Sequence, residues 1–362
     1  MDTLLPYPPG NLILFPEPNG ERKPEIRHVE GDSVSVTFVE CDLDFNDLTG
    51  YHPRNCDMFY PLVPLLGRAT KVSDYLTVPL FSVQVTLFPN SGISIGLTNH
   101  HSLCDASTRY NFLKAWSSIA KHGTDEFFLA SKSLPFYERV ITYPSSLDEL
   151  CLNIPGIPAI NMEYQPPHLV SPTDKVRATI VLTQDTSIGL RNGNGDDDLE
   201  RFVCAVDWRS RLDPPVPQTY FGNCVGASIT PTIKSTILAG ENGFLTAAEL
   251  FGKALSETLK KKNGVIEDGE TLIKTAFMPI PGLSVSGTPR TKIYDVDFGW
   301  GKPKKHETIS IDYNSSISVN ASKESHADIE IGSTNVDLST RSPFFFVSDL
   351  GNSSRLVDVL WI

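Results

Sequence analysis

Two stretches of the chain alternate strictly between apolar and polar residues, and a short turn separates them. Every second residue is apolar from 81 to 87 and again from 93 to 97. A period of two is typical of strands that bury one face. The intervening Pro89-Asn90-Ser91-Gly92 combines a proline, which presets φ, with a glycine, which tolerates positive φ. The pattern therefore predicts a β-hairpin.

The apolar positions change to helical spacing after the hairpin, from Ala106 onward. Four apolar residues then share one face of the predicted helix: Phe112, Ala115, Trp116 and Ile119. His100, His101 and Asp105 consequently lie at a junction between a strand and a helix.

Such a junction suits a general base, because it projects a side chain from a rigid scaffold into a cleft. With an ordinary pKa of about 6.5, a histidine is largely neutral near pH 7 and can accept a proton from an alcohol. Asp105 follows His101 by four residues and can bond back to orient the ring. A histidine at a strand end is also commonly a capping or surface residue, and the residues alone leave that interpretation open.

Three short segments together resemble one family. His101 and Asp105 form an H-x-x-x-D motif, residues 220–224 read YFGNC, and residues 297–301 read DFGWG. In this order they resemble the motifs of plant BAHD acyltransferases, in the branch that acylates anthocyanin and other phenolic glucosides. The similarity extends from about residue 8 to residue 332. H-x-x-x-D alone is a weak signal, but the combination is specific.

The resemblance implies a mixed α/β fold with two lobes like those of CoA-dependent acyltransferases, and an active site at their interface. A chain of 362 residues also favours two domains. We expect an N-terminal lobe at 1–183, a shortened crossover linker at 184–200 and a C-terminal lobe at 201–362.

The chain departs from the family pattern in three places, and we expect a truncated version of the fold. The N-terminal portion is shorter, the polar run at 190–200 replaces a longer segment, and residues 333–362 lack the family's closing helix. The apolar clusters at 344–346 and 360–362 would be exposed unless another segment covers them.

The resemblance also implies roles for individual residues. His101 is the general base, and Asp105 is structural because Arg209 pairs with it. Arg177, on the predicted strand 176–183, is our candidate for gripping a malonyl carboxylate; the alternative is an arginine that faces solvent. The remaining motif residues are expected to be structural: Tyr220, Phe221, Gly222 and Asn223 in YFGNC, and Asp297, Gly299, Trp300 and Gly301 in DFGWG. Trp300 is expected to be a large buried anchor.

The implied function is O-acylation, in which a malonyl or hydroxycinnamoyl group moves from acyl-CoA to a sugar hydroxyl of a phenolic or flavonoid glucoside. Acyl-CoA is then a co-substrate, and no bound cofactor is expected. The alternative is a relative that has lost activity through its deletions and persists as a binding or vestigial protein.

Charge and cysteine usage narrow the function classes further. A net charge of −12 argues against nucleic acid as a partner. The six cysteines show no C-x-x-C spacing, and neither a signal peptide nor a long apolar run is apparent, so we expect a cytoplasmic protein without a membrane span. The family resemblance implies a monomer. A metal site built from His100, His101, Cys104 and Asp105 is disfavoured, because neighbouring side chains on an extended chain point in different directions.

Overall fold

The computed structural model of the protein describes residues 7, 10–15, 23–139, 141, 143–152, 175–182, 199–238, 240–261, 263, 266–276, 282–314, 316–325, 328–335 and 355–362. Most of the predicted linker at 184–200 and the phenylalanine cluster at 344–346 lie outside these residues.

The described residues form strands and helices that follow one another in mixed order. The strands are β1 (Asn11–Leu14), β2 (Glu25–Arg27), β3 (Ser35–Glu40), β4 (Arg54–Asn55), β5 (Thr70–Val72), β6 (Tyr75–Pro79), β7 (Phe81–Phe88), β8 (Gly92–His100), β9 (Val176–Leu182), β10 (Leu199–Asp207), β11 (Val225–Ile229), β12 (Ile233–Lys234), β13 (Gly282–Ser286), β14 (Lys305–Thr308), β15 (Ile317–Ala321), β16 (Ile329–Asn335) and β17 (Arg355–Trp361). The helices are α1 (Phe45–Leu48), α2 (Ala106–His122), α3 (Glu126–Ala130), α4 (Ser145–Leu152), α5 (Ser235–Leu238), α6 (Gly243–Leu259), α7 (Gly269–Ala276) and α8 (Ile311–Asn314).

A five-stranded sheet in the order β14-β17-β8-β7-β3 carries the predicted hairpin. Strands β7 and β8 pair antiparallel, with Phe81 opposite Asn99, which confirms the hairpin. At the far end of β8, His100 lies opposite Arg355 of β17. The residue after this strand is His101, so the sheet fixes where the candidate base begins.

An eight-stranded sheet in the order β11-β10-β13-β15-β16-β9-β4, with β12 also paired to β10, forms the second lobe. A small sheet in the order β2-β1-β6-β5 completes the described strands. Parallel and antiparallel pairs occur together in the larger sheets, as β3 is parallel to β7 and β10 to β13. The predicted mixed α/β fold with two lobes is confirmed.

The sheets do not divide at the predicted boundaries of 183 and 201. Strand β9 ends at Leu182, yet it pairs with β16 in the eight-stranded sheet. Conversely, β14 and β17 lie beyond residue 201 but belong to the five-stranded sheet. Each lobe is therefore completed by strands from the other half of the chain.

Leu360 and Trp361 are buried, so the apolar cluster at 360–362, which would be exposed unless another segment covered it, is covered. Trp361 is 0% exposed and packs edge-on against Phe45, with ring centroids 5.5 Å apart. Phe88 contacts the same indole at 5.4 Å. Strand β17 thus covers the apolar end of the chain by inserting it between β14 and β8.

A buried layer of ion pairs joins the two larger sheets. Arg54 of β4 reaches Glu307 of β14 at 2.9 Å, and Lys305 of β14 reaches Glu330 of β16 at 3.2 Å. All four side chains are at most 5% exposed. Because unpaired charges are costly in such an interior, the layer fixes the relative position of the sheets.

Candidate active site

The corner after β8 is built by local hydrogen bonds. Asp105 caps α2, and its Oδ1 accepts the Thr108 backbone N–H at 2.9 Å. The His100 ring is turned into the loop, where its Nδ1 lies 2.7 Å from Ser102 Oγ. The two adjacent histidines therefore differ: His100 bonds within the loop, whereas His101 lines a cavity.

This cavity of about 590 Å³ lies between the two lobes. Its wall includes His101 and the start of α2, together with parts of β11, β13, α7 and β14. The volume falls in the range of pockets that bind small molecules. Most of the described wall is apolar, with hydroxyl groups at Ser286 and Thr288.

Burial lowers the pKa of His101 below its ordinary value. Its own backbone carbonyl, Asp105 and Asn223 act in the opposite direction, but burial dominates. The imidazole is therefore neutral near pH 7 and available to accept a proton.

Asp105 is held by a buried ion pair with Arg209. Nη1 of Arg209 lies 2.8 Å from Asp105 Oδ2, and its Nη2 donates to Oδ1 at 3.0 Å. Asp105 is 2% exposed and Arg209 is 0% exposed. The carboxylate also caps α2, so its oxygens accept hydrogen bonds from both the backbone and the guanidinium. That Asp105 and Arg209 have a structural role stays a prediction.

The Tyr220-to-Cys224 segment holds the same loop from the second lobe. Cys224 N donates to Asp105 Oδ2 at 3.0 Å, and Asn223 Nδ2 donates to His101 O at 2.7 Å. The carbonyl of Gly222 accepts from Arg209 Nη2 at 2.9 Å. Gly222 has φ of 144°, which a residue with a Cβ adopts only under strain. Tyr220 is buried, and the Arg209 guanidinium lies 5.9 Å from the centre of its ring. The centres of the Phe221 and Tyr137 rings are 5.3 Å apart.

Arg177 is not among the described residues that line the cavity. Its side chain is 1% exposed, and Nη2 donates to Thr308 O at 2.7 Å and to Asp312 Oδ1 at 3.2 Å. The guanidinium also lies 4.9 Å from the centre of the Phe59 ring. In this arrangement the guanidinium is used by buried partners in the protein core. A contact between Arg177 and a malonyl carboxylate stays a prediction that would require these bonds to break.

The DFGWG segment forms a turn against α2. Asp297 Oδ1 accepts from Gly299 N at 2.8 Å and from Gly301 N at 3.1 Å. Oδ2 accepts from Lys121 Nζ at 2.6 Å. The hydrogen bond from Lys121 contributes most, and together with those from Gly299 and Gly301 it lowers the pKa of Asp297 to about 2. Gly299 and Gly301 have φ of 101° and 108°. The turn requires both glycines for this reason.

The expectation that Trp300 is a buried anchor is wrong. Trp300 is 69% exposed, whereas its neighbour Phe298 is 4% exposed. Phe298 meets the Trp116 ring of α2 edge-on, with centroids 4.9 Å apart. Trp300 stacks on the outer face of Phe298, and the centres of the two rings are 6.4 Å apart. Phe298 is therefore the anchor of the turn.

A charged cluster in the cavity wall is not predicted from the sequence. Asp358 of β17 pairs with Arg109 of α2, and its Oδ2 lies 3.3 Å from His306 Nε2. Burial alone would raise the pKa of Asp358, but Arg109 and His306 hold it below its ordinary value. The run from 355 to 361 has no strict alternation that would have indicated a strand at this place.

Within the described residues, no group of three or more His, Cys, Asp or Glu side chains is placed to hold a metal ion. None of the described helices is both long enough and apolar enough to cross a membrane.

Comparison with known proteins identifies the family. The sequence model of the Transferase family matches residues 28–190 and 188–334. Malonyl-coenzyme A:anthocyanin 3-O-glucoside-6''-O-malonyltransferase of Dahlia pinnata is 47% identical, over 91% of this chain and 79% of the relative. Phenolic glucoside malonyltransferase 1 of Nicotiana tabacum is 37% identical, over 82% of this chain and 73% of the relative.

Among solved structures, vinorine synthase superposes with a TM-score of 0.55 at 18% identity, covering 86% of this chain and 78% of that one. At this identity the likeness concerns the fold alone. The sequence matches carry the assignment: the chain belongs to the Transferase family, and its predicted place among the BAHD acyltransferases, in the branch of anthocyanin and phenolic glucoside malonyltransferases, is confirmed.

Proposed function

We propose that the protein transfers a malonyl group from malonyl-CoA to a sugar hydroxyl of an anthocyanin or another phenolic glucoside. The observation that carries this proposal is the position of His101, neutral and facing a cavity between the lobes of a chain whose relatives are malonyltransferases. These relatives favour malonyl over hydroxycinnamoyl donors.

The reaction needs one base and no covalent enzyme intermediate. His101 takes the proton from the acceptor hydroxyl, and the oxygen attacks the thioester carbonyl. The tetrahedral intermediate then collapses, the C–S bond breaks, and the proton on His101 passes to the departing CoA thiolate. The products are the malonylated glucoside and free CoA.

Asp105 does not act as a proton relay in this mechanism, because Arg209 occupies its carboxylate. Its contribution is to hold the loop that presents His101. The two lobes therefore cooperate: one carries the base, and the other fixes the loop through Arg209 and Asn223.

We further propose that the protein works as a cytoplasmic monomer. The described cysteines Cys41, Cys56, Cys104, Cys204 and Cys224 are free thiols, which supports a reducing compartment. Size-exclusion chromatography with light scattering measures the oligomeric state.

The test is release of CoA from the purified full chain, with malonyl-CoA or coumaroyl-CoA as donor and a panel of phenolic glucosides as acceptors. We expect turnover with malonyl-CoA, and His101→Ala to lower it by about 10²- to 10⁴-fold, the usual worth of a general base. The exposed His52→Gln serves as the control and should keep most of the activity.

Two outcomes would count against the proposal. Full activity in His101→Ala would remove the assigned base. Absence of turnover in protein that melts cooperatively would favour the alternative of an inactive relative, which nothing in the comparisons or the described site supports at present.

A further inference from the structure

The wall of the cavity between the lobes contains two regions of different chemistry. An apolar region comes from α4 and α7, which contribute Leu147 and Leu272. A polar region consists of Thr308 at the end of β14, Ser310 in the turn that follows, and Asn320 of β15. A ligand with one apolar part and one polar part matches such a wall.

The polar region results from the pleat of β14 and from its contact with the second lobe. Lys305 and Glu307 point into the buried ion pairs between the sheets, so Thr308 points to the other face, toward the cavity. On β15, Asn320 lies opposite Glu330 of β16, and Glu330 reaches Lys305 at 3.2 Å. Directly paired residues project from the same face of a sheet, so Asn320 faces β14.

The side-chain amide of Asn320 is buried without an internal partner. Asn320 is 7% exposed, and its side chain forms no hydrogen bond within the residues that the structure describes. Among the same residues, the hydroxyl of Ser310 has no partner either. A buried amide without a partner costs free energy of folding, and folded proteins rarely retain one. A ligand in the cavity would complete the bonds of both groups.

The charges of the wall favour a neutral ligand at this place. Arg109 is the only lysine or arginine among the described residues that line the cavity, and it pairs with Asp358. A carboxylate or phosphate beside Asn320 would therefore lack a free counter-charge. Sugar hydroxyls both donate and accept hydrogen bonds, as do the amide of Asn320 and the hydroxyl of Ser310.

We infer that Asn320 and Ser310 bind the sugar of the acceptor glucoside, while the apolar region beside α4 and α7 holds its phenolic rings. The inference rests on the proposed function and specifies how its acceptor is recognised. Asn320 is then a specificity-determining residue that favours glucosides over their aglycones. It takes no part in proton transfer.

The test measures binding without turnover, by calorimetry on full-length His101→Ala protein. The probes are naringenin 7-O-glucoside and its aglycone, naringenin. We expect the glucoside to bind about tenfold more tightly than naringenin. Asn320→Leu removes the amide at similar side-chain volume, so it should weaken glucoside binding roughly 3- to 10-fold and leave naringenin within about twofold. Ser310→Ala should have the same selectivity.

Thermal unfolding of the ligand-free protein separates ligand binding from a structural role. Asn320→Leu breaks no hydrogen bond among the described residues, so the melting temperature should stay the same or rise. A lower melting temperature would show that the amide stabilises the fold and would count against the inference.

The matched control is Asn111→Leu, which makes the same change outside the cavity. Asn111 belongs to α2, is not among the described residues that line the cavity, and donates from Nδ2 to Gln218 O at 2.9 Å. This variant should bind both probes as the parent protein does. Equal losses of glucoside affinity in Asn111→Leu and Asn320→Leu would overturn the inference.

Three further results would overturn it: equal affinity of the parent protein for glucoside and aglycone, an equal loss for both probes in Asn320→Leu, and weaker binding of malonyl-CoA alone in that variant. The last result would place the malonyl carboxylate at Asn320. Failure of the proposed function is distinguishable from these results, because it appears as absent CoA release while the selective loss of glucoside affinity persists.

Discussion

Arg209 Nη1 lies 2.8 Å from Asp105 Oδ2, and this buried contact joins the second lobe to the loop that carries His101. The same guanidinium donates to the Gly222 carbonyl at 2.9 Å. One arginine therefore connects the H-x-x-x-D motif with the YFGNC segment. This explains how two motifs far apart in sequence contribute to one site.

Asp105→Asn should destabilise the protein because it removes the buried counter-charge of Arg209, which then keeps only the partly exposed Asp207 at 3.3 Å. Loss of one partner of a buried pair costs about 3–5 kcal/mol. Urea unfolding measures this change. The double variant Asp105→Asn with Arg209→Met removes both charges and should recover part of the loss. If the double variant is as unstable as the sum of the single variants, the pair is not the main role of Asp105.

The pH dependence of activity should follow the neutral form of His101. Burial lowers the pKa of this ring, so protonation, which abolishes the base, occurs only at pH below the ordinary value of about 6.5. The acidic midpoint of kcat/KM is therefore expected below that value, measured between pH 4.5 and 8 with a constant ionic strength. A midpoint above 6.5 would contradict the burial of the ring.

Local patterns predicted the elements that hold His101, because the hairpin and α2 are each determined by residues close together in sequence. The partners of these elements depend on contacts far along the chain. Strand β17 pairs with β8 through Arg355 and His100, and no period in the last residues indicated that pairing. The strands that cover the C-terminal residues therefore cannot be identified from the sequence.

The buried face of a helix is also determined by its neighbour. The sequence predicts a helix over 244–262 with Ala248, Phe251, Leu255 and Leu259 inside, and α6 does occupy Gly243–Leu259. However, Ala248 and Leu259 are exposed, whereas Ala247, Ala254 and Thr258 are buried. Thr258 can be buried because its Oγ1 contacts Ser228 Oγ at 3.0 Å. Hydrophobicity alone cannot identify a polar residue that finds such a partner.

The assignment of Arg177 can be tested against its observed surroundings. Arg177→Met should cost about 3–5 kcal/mol of unfolding free energy, because it leaves Asp312 buried with an unpaired charge. The KM for malonyl-CoA should change little in the folded fraction. Urea titration and donor kinetics measure the two effects. A selective rise in KM for malonyl-CoA over coumaroyl-CoA, with unchanged stability, would instead support the carboxylate role predicted from the sequence.

The two aromatic residues of the DFGWG turn should differ sharply when each is truncated. Phe298→Ala opens a cavity beside Trp116 and should lower the unfolding free energy by about 3–5 kcal/mol. Trp300→Ala removes a ring that is 69% exposed and should cost less than about 1 kcal/mol. Thermal and urea unfolding measure the stability of both variants, and turnover at saturating substrates measures their activity. Phe298→Ala should also lower activity. The turn contacts the C-terminal half of α2 through Lys121 and Trp116, and α2 begins beside His101, so a disturbed turn should shift the helix. Similar stability losses in the two variants would mean that Trp300 is covered in solution by something other than water.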